Sequence, residues 1–305
     1  MKETIFYLQA DLLLQVLPFV QGESCFALKG GTAINFFIRS FPRLSVDIDL
    51  VYLPLEDRAT TLREIASALE RIALKVERAL GVTVQKLRLR ESNHVYKLLI
   101  CGANGAEIKV EPNLILRGTL YPPVDLPLAP AVVEIFQRAA TTRVVSLPDL
   151  YGGKICAALD RQHPRDLFDV YLLLQNEGIT DEIRRAFVVY LASHGKPMSE
   201  LLAPNRKALA DVYANQFSGM TVQHVPLSIL EDTREQLISI LNTEMTQTER
   251  QFLLSLKRLE PQWDTLGIPG LDRLPGLKWK LFNLQRMDGV KRLAAEMALR
   301  KKLGL

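Results

Sequence analysis

The amino-acid sequence predicts an α+β protein in which a sheet-containing N-terminal half precedes a mainly helical second half. Strand-like and helical patterns alternate up to about residue 147, and helical periodicity dominates from there onward. Hydrophobic residues make up 48% and charged residues 24% of the 305 residues, the balance of a globular chain long enough for two domains. We therefore expect domains over residues 1–147 and 148–305.

The elements of the first half follow from periodicity and from turn residues. A short strand over 24–29 is expected to end at Gly30-Gly31, and Thr32 is then the expected N-cap of a helix over 33–41. In the expected strand over 45–52, Val46, Ile48 and Leu50 alternate with Asp47 and Asp49, which predicts one buried face. The remaining predictions are a helix over 62–80 ended by Gly81, strands over 82–89, 94–100 and 107–112, and a proline-rich loop over 121–130.

Helical periodicity accounts for most of the second half. The first two helices are expected over 149–161 and 164–177, a pair joined by a short connection. Further helical patterns cover 180–192, 198–215, 228–242 and 246–260.

Composition excludes some classes of protein. No apolar run approaches the roughly 18 residues that span a bilayer, and the N-terminus lacks the pattern of a signal peptide. The three cysteines, Cys25, Cys101 and Cys156, are scattered and odd in number, which favours reduced thiols. These features predict a cytoplasmic protein with no membrane partner.

Asp47 and Asp49 are the residues that most directly indicate chemistry. Two aspartates two positions apart on a strand project from the same face, where their charges repel unless a cation lies between them. Mg²⁺, or Mn²⁺ in its place, is commonly held by one or two carboxylates together with substrate phosphates. The alternative is that the pair is only the solvated face of a strand.

Two nearby features favour the metal site. Gly30-Gly31 lies between a strand and a helix start, where the backbone can approach a phosphate closely. Glu107 and Glu111 share one face of a later strand, and either could supply a third carboxylate. Two metal ions bridged in this way can activate an attacking hydroxyl and stabilise a departing pyrophosphate.

The segments Lys29–Ala33 and Arg43–Leu50 resemble the signature of the AbiEii/AbiGii nucleotidyltransferase toxins, which include the MenT-type toxins of mycobacteria. The family belongs to the DNA polymerase beta superfamily, so the resemblance implies a nucleotidyltransferase-fold mixed sheet flanked by helices. It also implies metal ligation by Asp47 and Asp49 and triphosphate contacts from Gly30, Gly31 and Thr32. Glu111 is the best match to the third carboxylate, although aspartate is commoner there and Glu107 shares the face.

A second matching region begins at Lys154 and continues through Arg165, Asp166 and Asp169. In the family, a lysine on one helix and an R-D-x-x-D run on the next help to complete the nucleotide site. The resemblance therefore implies catalytic roles for Lys154, Asp166 and Asp169, and nucleotide contacts from Lys154 and Arg165. The alternative is a structural lattice of salt bridges between two helices.

A third match covers 249–281 and indicates kinship without chemistry. From Gly276 to the end, eight basic residues face two acidic ones, a net charge of +6, whereas the whole chain carries +4. This basic tail could hold an RNA backbone. The alternative is an amphipathic helix packed through Leu281, Leu284, Val290, Leu293 and Met297.

The leading functional hypothesis is a toxin of a toxin–antitoxin or phage-defence pair that transfers a nucleoside monophosphate from an NTP to RNA. The MenT-type relatives suggest a tRNA 3′ end as acceptor, and the family implies a cognate antitoxin encoded in the same operon. Two alternatives remain open: nucleotidyl transfer to a small hydroxylated molecule or a protein, and a non-enzymatic interaction module with a degenerate site.

Overall fold

The computed structural model describes residues 5–305, and the chain divides into two compact units. The first unit contains the residues up to Ser146 together with Met220–Gln223. The second contains Leu147–Gly219 and His224–Leu305. A mixed sheet in the first unit and helices throughout the second confirm the predicted fold class. Among the described residues, no helix is long and apolar enough to cross a membrane.

The first unit is built on one seven-stranded sheet. Its strands are β1 (Phe26–Lys29), β2 (Asp47–Tyr52), β3 (Thr83–Arg88), β4 (Val95–Cys101), β5 (Glu107–Asn113), β6 (Val124–Pro127) and β7 (Thr141–Val144). Its helices are α1 (Ile5–Gln21), α2 (Gly30–Ala33), α3 (Arg58–Leu80) and α4 (Pro130–Phe136), and a π-helical turn (Ile34–Ile38) continues α2.

The sheet places β2 at its centre, in the order β3-β4-β5-β2-β1-β7-β6. Strand β2 runs parallel to β5 and antiparallel to β1. Ile48 and Leu50 are fully buried, whereas Asp47 and Asp49 on the other face are half-buried. The predicted alternation is therefore confirmed, and it sets both carboxylates on the same side of a central strand.

Three predictions for the first unit were wrong or incomplete. The sequence analysis assigned no element to α1, whose apolar residues surround the helix because it is largely buried and so show no amphipathic stripe. The expected loop over 121–130 contains β6, an edge strand that ends at Pro127. Thr32 is not an N-cap, because the helix begins at Gly30 and Lys29 occupies the capping position.

The second unit is helical throughout its described elements. Its helices are α5 (Leu147–Arg161), α6 (Pro164–Gln175), α7 (Asp181–Ser193), α8 (Met198–Leu202), α9 (Ala210–Gln216), α10 (Leu227–Glu244), α11 (Gln247–Lys257), α12 (Pro275–Gln285) and α13 (Gly289–Leu303). The single helical pattern expected over 198–215 is wrong, because it is divided into α8 and α9. Pro204 lies in the break, and proline disfavours helical backbone in the residue before it.

Helices α5 and α7 approach each other closely at Gly152. An ideal side-chain carbon placed on Gly152 would lie 2.9 Å from backbone atoms of Ala186 and Phe187. The next residue, Gly153, has nothing within 4 Å of the same position. Both glycines are helical, but close packing requires glycine only at position 152.

We expect Gly152→Ala to lower the free energy of unfolding by about 1–3 kcal/mol, since the new methyl group must push apart two backbones. The matched control, Gly153→Ala, should raise it by about 0.5–1 kcal/mol because alanine favours helix. Urea unfolding of both variants measures the difference. Equal stabilisation by the two substitutions would contradict the close approach of α5 and α7.

Candidate active site

The two aspartates at the start of β2 lie beside charged residues of β5. The parallel register pairs Asp47 with Lys109 and Asp49 with Glu111, so these four side chains share one face of the sheet. On the other side of β2, Lys29 of β1 pairs with Asp49. Asp49 thus lies in a row between a lysine and a glutamate.

Gly30 touches the carboxylate of Asp49 with its backbone. Its φ of +76° is a conformation that other residues rarely adopt. An ideal side-chain carbon on Gly30 would lie 2.3 Å from Oδ2 of Asp49 and 3.1 Å from its Cβ and Cγ. Both the backbone angle and the space beside Asp49 therefore require glycine at position 30.

Gly31 and Thr32 pack against the segment that leads into β2 and against its first residue. A side-chain carbon on Gly31 would lie 2.7 Å from Nη2 of Arg43 and 3.0 Å from Oγ of Ser45. Thr32 is fully buried, and its hydroxyl donates to the carbonyl oxygen of Asp47 at 2.6 Å. Because a hydroxyl has one hydrogen, Thr32 is engaged in positioning the backbone of Asp47. Its expected contact with a triphosphate remains a prediction.

Arg43 was quoted in the sequence motif without a role, and the structure gives it one. It is buried at 3% exposure beside Gly31, and its Nη1 donates to the carbonyl of Leu44 at 2.8 Å. The segment that carries it is fixed by residues from much later in the chain. Leu44 donates to the carbonyl of Met220 at 3.0 Å, and Val222 donates to the carbonyl of Pro42 at 2.9 Å.

Glu111 is the candidate third carboxylate that lies nearest in register to the aspartates. Its Oε2 forms a 2.6 Å ion pair with Nζ of Lys97 on β4. Glu107 lies four residues earlier on β5 and pairs in register with Cys101. Within residues 5–305, no three His, Cys, Asp or Glu side chains stand close enough together to hold a metal ion in this conformation.

In the second unit, Lys154 of α5 forms ion pairs with two aspartates of α6. Its Nζ lies 2.9 Å from Asp166 and 2.9 Å from Asp169, and the three side chains are at most 7% exposed. Arg161 adds a second cation to Asp166 at 2.9 Å. Arg165, the predicted nucleotide contact, is half-buried on α6. Lys154, Asp166 and Asp169 of the second sequence match are therefore brought together as a buried charge cluster.

The charge cluster holds Asp166 in its ionised form. Burial raises the pKa of Asp166, but the positive charges of Lys154 and Arg161 outweigh burial, so the pKa lies below its ordinary value. A second buried carboxylate on α5, Asp149, accepts a 2.8 Å hydrogen bond from the hydroxyl of Tyr190. The sequence analysis did not single out Asp149, because nothing in its spacing distinguishes it from a surface aspartate.

Comparison with known proteins assigns the chain to a family. Residues 11–267 match the family model described as the nucleotidyl transferase AbiEii toxin of a type IV toxin–antitoxin system. The chain belongs to the AbiEii family. No curated protein matches significantly.

A solved structure of similar fold comes from Mycobacterium tuberculosis H37Rv. It is MenT4, a nucleotidyltransferase toxin, at 14% sequence identity and a TM-score of 0.60, with 92% of this chain and 93% of that chain covered. At 14% identity, this similarity shows a shared fold and nothing more. The family assignment makes this AbiEii protein a nucleotidyltransferase, implies an NTP substrate and an antitoxin partner, and overturns the alternative of a non-enzymatic module.

We expect Gly30→Ala in this AbiEii protein to lower the nucleotidyl-transfer rate about a hundredfold, because the methyl group displaces the carboxylate of Asp49. Gly81→Ala is the matched control: Gly81 has a similar φ of +63° but nothing within 4 Å. Each substitution should destabilise by about 1–2 kcal/mol through backbone strain, but only the first should affect transfer. Equal transfer rates in the two variants would show that Gly30 matters for backbone conformation alone.

We expect acid to destabilise the parent AbiEii protein more than its Asp166→Asn variant. A carboxyl whose pKa is lowered in the folded chain stabilises the fold above its ordinary pKa, and this contribution is lost as the pH falls through the folded pKa. At neutral pH the variant should be less stable by roughly 1–3 kcal/mol, since Lys154 keeps Asp169. Urea unfolding from neutral to acid pH measures both effects.

The exposed Asp232 provides the control variant, Asp232→Asn, whose pH profile should follow the parent. Transfer per folded molecule at neutral pH tests the structural alternative for the charge cluster. A parent-like rate in Asp166→Asn would favour a lattice of salt bridges, whereas a large loss of rate would favour participation in nucleotide chemistry.

Proposed function

We propose that this AbiEii protein is a divalent-metal-dependent enzyme that transfers a nucleoside monophosphate from an NTP to RNA, with a tRNA 3′ end as the acceptor. The observation that carries the proposal is the pair Asp47 and Asp49 on one face of β2, with the backbone of Gly30 packed against Asp49. This geometry fixes two carboxylates side by side at the centre of a rigid sheet, as transfer chemistry requires.

The side chains present fit Mg²⁺ or Mn²⁺. Two neighbouring carboxylates with a substrate triphosphate are the usual oxygen ligands of Mg²⁺, and the absence of a side chain on Gly30 leaves room for the carboxylate of Asp49 beside it. When bound, the metal ion supplies positive charge to the phosphate oxygens and to the attacking hydroxyl. Asp47 and Asp49 would hold it, and their positions depend on Thr32 and Gly30.

Glu111 completes the proposed ligand set only if it leaves Lys97. Its register beside Asp49 supports this assignment over Glu107, which lies four residues earlier on β5 and pairs with Cys101 of β4. The ion pair with Lys97 is partly exposed, with side-chain exposures of 20% and 47%, so its opening costs little. A metal ion bound between the aspartates would attract the carboxylate away from Lys97.

The glycines have a structural explanation of their own. Contacts with Asp49, Arg43 and Ser45 account for the missing side chains of Gly30 and Gly31. Their backbone amides stay the proposed triphosphate contacts, because successive backbone N–H groups in a turn are a general way to bind phosphate.

The charge cluster of the second unit is included in the proposal, with Lys154, Asp166 and Asp169 as active-site residues and Arg165 as a nucleotide contact. What supports this role is the burial of charge: a lysine and two aspartates at 0–7% exposure are costly, and apolar residues would stabilise a helix pair at least as well. Charged groups with perturbed pKa values concentrate at functional sites.

The basic tail supports RNA as the acceptor. Lys278, Arg286, Lys291, Arg300, Lys301 and Lys302 are exposed along α12 and α13. Lys280 is an exception, because it is buried and donates to the carbonyl oxygens of His194 and Lys196 at 2.7 and 3.0 Å. The alternative of a packed amphipathic helix holds in part: Leu284 is buried, and α13 packs through Leu299 and Leu303, but the expected packing residues Val290, Leu293 and Met297 are exposed.

We expect Asp49→Asn to reduce transfer and Mg²⁺-dependent NTP binding to background while the fold survives, because one of the two paired carboxylates is lost. Glu111→Gln should cost far more activity than Glu107→Gln, which is the matched control on the same strand face. The measurement uses each α-labelled NTP with total tRNA. An unchanged rate in Asp49→Asn would refute the metal site, and a larger loss in Glu107→Gln would transfer the third ligand to Glu107.

We expect replacement of Lys291, Arg292, Lys301 and Lys302 by Gln to weaken RNA binding uniformly across sequences, because phosphate contacts carry no base information. The log–log slope of binding against salt should fall by up to about three units, while NTP binding stays unchanged. Filter binding over a salt series measures the slope. A variant that binds and modifies RNA like the parent at every salt concentration would favour a small-molecule or protein acceptor.

A further inference from the structure

Helix α13 exposes three aliphatic side chains at helical spacing. Val290, Leu293 and Met297 are 78%, 58% and 64% exposed. At about 100° per residue they lie within one stripe along the helix. Single exposed apolar residues are ordinary on protein surfaces. Three that are aligned on one helix face form a patch, and exposed apolar patches mark interaction sites. We call these three residues the α13 stripe.

The helix that carries the α13 stripe is fixed on its other side. Leu299 and Leu303 are each 1% exposed, and Glu296 forms a 2.7 Å ion pair with Arg258. The first turn is capped by Asp288, whose side chain accepts a hydrogen bond from the amide of Lys291 at 3.1 Å. Helix α13 is therefore already packed against the protein, and the α13 stripe is its outer face.

Positive charge borders the α13 stripe on both sides. On a helical projection Arg300 lies about 20° beyond Leu293 on one edge of the stripe and Lys301 about 20° beyond Val290 on the other, whereas Lys291 and Lys302 lie about 100–120° from Val290. Arg300, Lys291, Lys301 and Lys302 are all exposed. The single acidic residue within α13 is Glu296, which faces the packed side and is paired with Arg258.

We propose that the α13 stripe docks an amphipathic helix of a partner protein whose apolar face is bordered by aspartate and glutamate. An apolar seam flanked by one sign of charge selects a partner helix with the opposite sign at its flanks, as in coiled coils. The inference concerns a protein contact and holds independently of whether the acceptor is RNA.

Three other occupants fit the surface less well. A second copy of this chain would bring lysines and arginines against the same lysines and arginines. RNA recognition uses phosphate contacts and stacking on aromatic or arginine planes, for which Val290, Leu293 and Met297 offer nothing. An anionic lipid surface satisfies the charges but requires a larger apolar face than three side chains.

The test is an anisotropy titration of the full-length chain with a labelled acidic peptide. The peptide contains about three heptads with leucine at the two apolar positions and glutamate at the flanks. A second peptide of equal leucine content carries lysine at the flanks. The variant Leu293→Gln/Met297→Gln removes two residues of the stripe, and Leu55→Gln/Leu74→Gln removes two comparable leucines, 40% and 46% exposed, from the first unit.

We expect the acidic peptide to bind the parent and the Leu55/Leu74 variant equally, and the Leu293/Met297 variant at least about tenfold more weakly, since two buried apolar side chains are lost. Arg300→Gln/Lys301→Gln, which removes the two cations at the edges of the stripe, should weaken binding and reduce its salt dependence. Asp49→Asn should bind the peptide like the parent, so failure of the transfer chemistry leaves this result unaffected.

Several outcomes would overturn the proposal. These are equal binding of the lysine-flanked peptide, or no effect of the Leu293/Met297 substitutions on acidic-peptide binding. Two other ligands are titrated in the same way: a single-stranded RNA oligonucleotide and vesicles rich in phosphatidylglycerol. If one of them binds the Leu293/Met297 variant less tightly than the parent while the acidic peptide does not, the stripe binds that ligand instead. Circular dichroism of each variant confirms the fold, which substitutions at such exposed positions should leave intact.

Discussion

The positions of the two aspartates depend on the close approach of Gly30 to the carboxylate of Asp49. Lys29 pairs with Asp49 in the sheet, so the next residue must turn out of β1 directly above that carboxylate. The turn uses a left-handed backbone angle and starts α2 at once. Two residues later, the hydroxyl of Thr32 donates to the carbonyl oxygen of Asp47. A single strand–turn–helix connection thus positions both aspartates, one through its side chain and the other through its backbone.

Much of this arrangement could be predicted from the sequence because strand periodicity is a local property. The alternation over 45–52 gives the faces of β2 without any tertiary information, and the order of Gly30-Gly31 before the aspartates indicates a strand–turn–helix connection. The role of Thr32 could not be predicted in the same way. Threonine is a common N-cap, and its hydroxyl is engaged with a strand thirteen to fifteen residues away. The local preference lost to a tertiary hydrogen bond.

The partners of charged residues are the second feature that could not be predicted from the sequence. The spacing of Asp166 and Asp169 correctly puts them on one helix face, but nothing local predicts that Lys154 is buried between them, since lysine is rarely buried. The same holds for Glu111, whose partner Lys97 is fourteen positions away on another strand. Helix α1 was not predicted for a different reason. A helix that is buried on most of its surface lacks the polar face by which helical periodicity is recognised.

The return of Met220–Gln223 to the first unit affects how the chain could be divided. An isolated β-bridge joins Arg43 to Thr221, next to two further backbone hydrogen bonds that hold the segment before β2. A fragment ending at Ser146 would leave the amide of Leu44 and the carbonyl of Pro42 without these partners. The minimal folding piece that preserves the aspartate pair is therefore discontinuous in sequence, and the order of synthesis places its last segment more than a hundred residues after the aspartates themselves.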